Sequence, residues 1–240
     1  MSESPRVTVV VPTYNERRSL DELVKLICAL EIKNLNIVVV DDNSPDGTGA
    51  LADSLSKEYP LRVIHRKEKQ GLGKAYMQAF SEIIALPTDK RPELIIQMDA
   101  DLSHNPSDIP RFLECIQTCD LVLGSRYVPG GRIENWDLFR RMVSRLGNIY
   151  ASLILGMPYH DLTSGYKCFR LKVLETINVT AVGSIGYNFQ IEITYLAKKK
   201  GFRVCEIPIF FTERKTGKSK FNMGIILESF WKVLQLRFRK

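Results

Sequence analysis

The sequence predicts an α/β protein with a mostly parallel central sheet and helices on both faces. Three observations lead there. Apolar runs rich in Val and Ile recur at residues 7–11, 37–40, 61–64, 94–97 and 120–123, as expected of strands buried on both faces. Stretches with apolar residues at helical spacing lie between them. The first, second and fourth runs each stop at a polar turn, which gathers polar side chains at the carboxyl edge, where open α/β sheets bind ligands.

In order, the first strand stops at Pro12, and residues 17–30 read as a helix through Leu20, Leu23, Val24, Ile27 and Leu30. The second strand runs into Asp41-Asp42-Asn43-Ser44-Pro45-Asp46-Gly47-Thr48, and a helix follows through Leu51 and Leu55. After the third strand, Gly71-Leu72-Gly73-Lys74 opens a helix carrying Ala75, Ala79, Ile83 and Leu86. This alternation is that of right-handed βαβ units in a Rossmann-like half. The fourth strand ends in Asp99-Ala100-Asp101, a helix spans residues 109–116, and the fifth strand stops at Gly124-Ser125-Arg126. A Gly- and Pro-containing loop precedes a helix over 139–155, with Phe139, Met142, Val143, Leu146, Ile149, Tyr150, Leu153 and Ile154 on one stripe and Arg140, Ser144 and Asn148 on another face. Strands are expected at 167–170 and 203–212, flanking a helix over 189–200; a basic loop at 212–220 and an apolar helix over about 223–240 complete the chain. Without repeats or a clear linker, residues 1–240 read as one domain.

The formal charge of +7 suits anionic partners: phosphate ligands, anionic lipid or nucleic acid. Five scattered cysteines, an odd number without paired metal spacing, suit a reduced, cytosol-facing protein, with Cys115 and Cys119 read as core thiols. No apolar run reaches eighteen residues, so a lone membrane-spanning helix is not expected.

In extended backbone, residues i and i+2 project to the same side, so Asp99 and Asp101 can face one small volume across Ala100. Carboxylate oxygens suit Mg²⁺ or Mn²⁺, ions that keep waters and complete their shell with substrate phosphates. The competing reading has Asp99 closing the strand and Asp101 capping a helix. Tyr14 and Glu16 can line a nucleoside, or Asn15 can cap the following helix with Glu16 in its first turn. Asp41 and Asp42 stand where a ribose- or base-binding acid belongs, and also where turn formers belong. Arg126 can fork onto phosphate oxygens, and Arg140 and Ser144, one turn apart, can converge on a second anion or form a solvated polar face.

Together, residues 9–16, 39–48, 99–104, 124–127 and 217–220, ordered along the chain, resemble the dolichol-phosphate (polyprenol-phosphate) mannosyltransferases of glycosyltransferase family 2. The resemblance implies a GT-A fold, GDP-mannose as donor, dolichyl or polyprenyl monophosphate as acceptor, and inverting transfer to a β-mannosyl lipid that serves as mannose donor for protein glycosylation. By motif, Pro12, Tyr14, Glu16, Val40 and Asp42 would hold the nucleoside, and Asp99, Ala100 and Asp101 the ribose, diphosphate and Mg²⁺ or Mn²⁺, with Asp101 the nearest metal ligand. Arg126, Arg214 and Lys220 would grip donor phosphates, and Arg126, Arg140 and Ser144 the acceptor phosphate; Asp101 and Arg126 would be catalytic. Some relatives carry a longer amide side chain at the position of Ser103, and many carry two C-terminal transmembrane helices. Here the expected anchor is the C-terminal helix lying on the membrane surface through Phe230, Trp231, Leu234 and Phe238, or membrane-embedded partner subunits; the same helix can instead pack on the core. The expected place is peripheral, on the cytosolic face of a membrane, which is the endoplasmic reticulum in a eukaryote. A nucleic-acid partner is not expected. Rival readings are a glucosyltransferase using UDP-glucose on the same lipid, and a non-catalytic nucleotide-sugar-binding subunit.

Overall fold

The computed structural model describes residues 4–184, 186–213 and 223–238. Elements run β1 (Val7–Thr13), α1 (Arg17–Cys28), β2 (Leu35–Asp41), α2 (Thr48–Leu55), β3 (Leu61–His65), α3 (Leu72–Ile84), β4 (Leu94–Gln97), α4 (Ile109–Cys115) and β5 (Leu121–Ser125). They continue β6 (Arg132–Glu134), α5 (Leu138–Leu155), β7 (Lys167–Arg170), α6 (Leu171–Thr176), α7 (Tyr187–Lys199), β8 (Val204–Pro208), β9 (Phe210–Thr212) and α8 (Met223–Phe238).

Seven strands form one sheet in the order β3-β2-β1-β4-β7-β5-β8. Every pairing is parallel except those of β7, which runs antiparallel to both β4 and β5. Strand alternation splits the core in two. Val9 and Val11 face a layer with Leu20, Leu23, Ile27 and Phe112 of α1 and α4, while Val10 faces one with Tyr76, Phe80 and Phe189 of α3 and α7. Burial on both faces explains why these strands read as unbroken apolar runs.

Three features depart from expectation. The loop after β5 and the end of the 203–212 stretch form a second, two-stranded parallel sheet, β6 with β9. Helix α5 turns Asn148, Ala151 and Leu155 inward and packs Tyr150 and Ile154 on the core, while Leu138, Phe139, Met142, Leu146, Ile149 and Leu153 are exposed, Leu153 to 75%. Arg140 and Ser144 themselves are half-buried, so this face is only partly solvated. Finally, α8 contacts α5 and α7. Val233 and Leu236 are buried and Phe230 packs on Tyr150 at 4.3 Å, whereas Trp231 and Phe238 stay exposed. Expected as a membrane-facing set, Phe230, Trp231, Leu234 and Phe238 are split: only Trp231 and Phe238 point away from the protein, with Leu234 half-buried. Among the described residues, no helix is long and apolar enough to cross a membrane.

Gly131 shows how tightly the loop after β5 is drawn in. A Cβ there would stand 2.7 Å from the backbone carbon of Arg126 and from the carbonyl oxygen of Ser125. Because backbone cannot give way as a side-chain tip does, Gly131→Ala should cost about 1–3 kcal/mol. Urea denaturation should show a lower midpoint, and an unchanged one would refute the close approach.

Candidate active site

Parallel pairing brings the carboxyl ends of β1, β2 and β4 side by side. Pro12 sits opposite Val40, Thr13 opposite Asp41, and Met98 donates its N–H to the Val10 carbonyl at 3.3 Å. Strand β5 runs the same way and delivers Ser125 and Arg126 to that edge. The expected residues from β1, β2, β4 and β5 thus share one rim.

Each rim turn is held by local bonds. Asp41 accepts from Thr13 Oγ1 (3.1 Å), Ser44 N (3.0 Å) and Ser44 Oγ (2.5 Å), so it builds the turn after β2. Asp42 forms a buried ion pair with Arg66, which also binds Gln70 and Gln78 at 3.0 and 3.1 Å. Asn15 is not the expected cap. It takes a left-handed φ of 61° and donates its N–H to Ser44 Oγ, while Glu16 stands at the cap position without a side-chain capping bond. Tyr14 lies under the Lys69 ammonium, 3.4 Å from its ring centre. Val40 is wholly buried in the core, so it can offer a ligand its backbone only.

The acid pair is positioned from behind. The Tyr76 hydroxyl donates to the Met98 carbonyl at 3.1 Å; burial, with Asp99 and Asp101 nearby, holds this phenol well above its ordinary pKa, so it stays a donor. Leu102 has φ 62°, a costly conformation for a branched side chain, and Ser103 N donates to Asp101 Oδ1 at 3.1 Å. Asp99 N donates to His104 Nδ1 at 3.1 Å, which leaves the ring proton on Nε2. Burial lowers the His104 pKa to about 4, so the ring is neutral at pH 7.

These residues suit Mg²⁺ or Mn²⁺. The donors are hard carboxylate oxygens, and the buried Ser103 Oγ has no hydrogen-bond partner among the described residues. No third His, Cys, Asp or Glu among the described residues lies close enough to complete a protein cage. That leaves positions for waters and phosphate oxygens, the usual habit of Mg²⁺.

Arg126 is more constrained than its sequence position suggested. Nε and Nη2 each donate to the buried Asp161 carboxylate at 2.7 Å, and Nη2 also reaches Thr163 Oγ1 at 2.9 Å. Its carbon centre lies 5.2 Å from the Trp136 ring and 5.4 Å from Phe211. The fork expected to meet phosphate is therefore turned inward along that edge. Thr163 accepts in turn from Asn148 Nδ2 (3.1 Å), and the Tyr127 hydroxyl donates to Ser144 Oγ (2.8 Å), so Arg126 and the inward face of α5 belong to one network. Arg140 stacks on Trp136 at 4.1 Å and pairs with Glu213. Arg126, Arg140 and Ser144 are thereby brought to one flank of the rim. Arg214 and Lys220 lie outside the described residues.

Comparison with known proteins adds the decisive observation: the model of glycosyl transferase family 2 matches residues 8–177. The chain belongs to that family. This family 2 glycosyltransferase is 44% identical over 237 residues to a polyprenol monophosphomannose synthase of Mycolicibacterium smegmatis, covering 98% of the chain and 88% of the relative. It is 42% identical to an undecaprenyl-phosphate mannosyltransferase of Micrococcus luteus, covering 93% and 90%. It is 38% identical to a dolichol-phosphate mannosyltransferase of Pyrococcus furiosus, covering 93% of the chain and 61% of that protein. Among solved structures, glucosyl-3-phosphoglycerate synthase of Mycobacterium tuberculosis, in complex with Mn²⁺, UDP-glucose and phosphoglyceric acid, aligns with a TM-score of 0.70 at 14% identity, covering 97% of the chain and 80% of that structure. At that identity the likeness establishes the GT-A fold alone.

The candidate residues are also contacted by side chains that the sequence did not flag: Arg66, Lys69, Trp136, Asp161, Thr163 and Phe211. Asp161 had the only available signal, an acid set in Tyr159-His160-Asp161-Leu162 where burial would demand a cationic partner. Asp161→Asn should leave Arg126 as a buried charge lacking its counter-ion, at a cost of about 3–5 kcal/mol. The thermal midpoint should drop accordingly; an unchanged midpoint would show that the pair is not what holds the loop to β5.

Proposed function

We propose that the chain transfers mannose from GDP-mannose to a polyprenyl monophosphate such as dolichyl phosphate, with inversion at the anomeric carbon. The observation that carries this reading is the acid pair Asp99/Asp101 at the open edge of the sheet, beside an inward-anchored Arg126, in a chain whose relatives are named polyprenol-phosphate mannosyltransferases.

In this reading Tyr14, Glu16, Pro12, the Val40 backbone and Asp42 with its partner Arg66 receive the nucleoside, and Asp99, Ala100 and Asp101 the ribose and diphosphate side. Asp99 and Asp101 would hold Mg²⁺ or Mn²⁺, which supplies charge neutralisation for the departing diphosphate. Arg126, Arg214 and Lys220 add positive charge on the donor phosphates, while Arg126, Arg140 and Ser144 seat the acceptor phosphate. A phosphate monoester loses its second proton near pH ~6, so the attacking oxygen is already anionic and no side chain has to act as base. That oxygen forms a bond to the anomeric carbon as the bond from that carbon to the diphosphate oxygen breaks, and GDP leaves. The work left to the protein is alignment and charge stabilisation.

The acceptor's chain is insoluble, so the site has to meet a membrane. The exposed residues of α5, with Trp231 and Phe238 of α8, offer the apolar face, and Arg145 and Arg237 offer cations for anionic headgroups. Membrane-embedded partner subunits would add to this anchoring.

The purified chain, with Mg²⁺ or Mn²⁺, polyprenyl phosphate in liposomes and a panel of labelled nucleotide sugars, should label the lipid from GDP-mannose. Labelling from UDP-glucose instead, or no turnover, would overturn the reading. Asp101→Ala should cut the rate by about 100-fold or more, at a cost of ~2.7 kcal/mol or more in the barrier. Replacing Leu146 and Ile149 with Glu should abolish co-sedimentation with anionic liposomes while leaving the far-ultraviolet circular dichroism unchanged; retained sedimentation would move the membrane contact away from α5.

A further inference from the structure

We propose that Cys115, Cys119 and Cys205 form a binding site for a thiophilic divalent ion, Zn²⁺ or Cd²⁺, separate from the acid pair. Spacing in the chain conceals it. Cys115 closes α4, Cys119 follows four residues later in the turn before β5, and Cys205 arrives on β8, where it pairs with Val122. Folding brings the three sulfurs within 4.8 Å of one another. Among the described residues, this is the only set of three or more His, Cys, Asp or Glu ligand atoms gathered so closely.

The geometry is within reach of a metal shell. With Zn–S bonds of about 2.3 Å, sulfurs in a tetrahedral shell stand about 3.8 Å apart, so binding needs the trio to close by no more than about 1 Å per pair. Three sulfurs leave a fourth position for water. Cys119 is buried, whereas Cys115 and Cys205 are partly exposed, so an ion has a way in. In the protonated thiol, Cys119 Sγ donates to the Cys115 carbonyl at 3.4 Å, and binding would release that proton to solvent as the sulfur turns to the ion. Soft sulfur discriminates against Mg²⁺ and Mn²⁺, and carboxylate oxygens accept those, so the two sites select different ions.

The site would clamp α4 to β8, the edge strand of the main sheet. Strand β8 leads directly into β9, whose Phe211 stacks edge-on against His104 and lies beside Arg126. From Val122 to Arg126 is four residues, about 13 Å of strand, so the ion would brace the far end of the structure that shapes the transfer site without touching it.

Titrating the reduced, metal-free chain with Cd²⁺ alone tests this. One ion per chain should bind, with a sulfur-to-cadmium charge-transfer band in the ultraviolet that Cys28→Ser retains and that Cys115→Ser, Cys119→Ser and Cys205→Ser weaken or lose. Excess Mg²⁺ should not compete. At a hundredfold excess over Kd the thermal midpoint should rise by about 5 °C or more. Should a serine variant fail to fold, the unmutated chain still decides: bound Cd²⁺ must protect these three thiols together from alkylation, as mapped by mass spectrometry. Absence of the band, or alkylation of any of the three at the unprotected rate, overturns the site.

Discussion

The ion pair between Arg126 and Asp161 fixes the arrangement of this glycosyltransferase. Both groups are almost wholly removed from water, a state tolerable only because each satisfies the other in a two-point contact. Asp161 lies ahead of β7, the one strand of the main sheet that runs against its neighbours, and Arg126 directly follows β5, the strand beside it. The pair therefore ties the reversed strand's approach to the carboxyl edge. Through Thr163 and Asn148 the same knot extends to α5. A guanidinium held this way keeps one orientation at the rim without searching among rotamers.

The negative side of the rim is apportioned as carefully. Of four acids at the ends of β2 and β4, Asp41 is taken up by its own turn and Asp42 by Arg66. Asp99 and Asp101 lie on the short segment after β4, Asp101 accepting from Ser103 N, with a left-handed Leu102 next to them and a neutral imidazole rather than a cation at their side. Strain at such a position is a familiar companion of ligand sites.

Local pattern made most of this legible. Strands buried on both faces declare themselves as Val- and Ile-rich runs, and their polar ends point to Tyr14, Glu16, Asp41, Asp42, Asp99, Asp101 and Arg126 as candidates. What stayed hidden depends on contacts between distant residues. The direction of β7 and the pairing of Arg132–Glu134 with Phe210–Thr212 leave no period in the chain. Arg66 is separated from Asp42, and Asp161 from Arg126, by stretches that only folding closes. Helix α5 was undecided for a different reason: amphipathicity reveals two faces, but which residues meet the protein depends on whether the polar side chains find partners inside. Here Arg140, Ser144 and Asn148 do.

The exposed apolar residues of α5 bear on how the acceptor is found. If that greasy ridge rests on a bilayer, the catalytic rim is held at a fixed height over the headgroups and its search collapses from three dimensions to two. Turnover would then follow the number of prenyl chains per unit of leaflet area rather than their bulk amount, and diluting the lipid with inert phospholipid would slow the reaction even at constant total substrate.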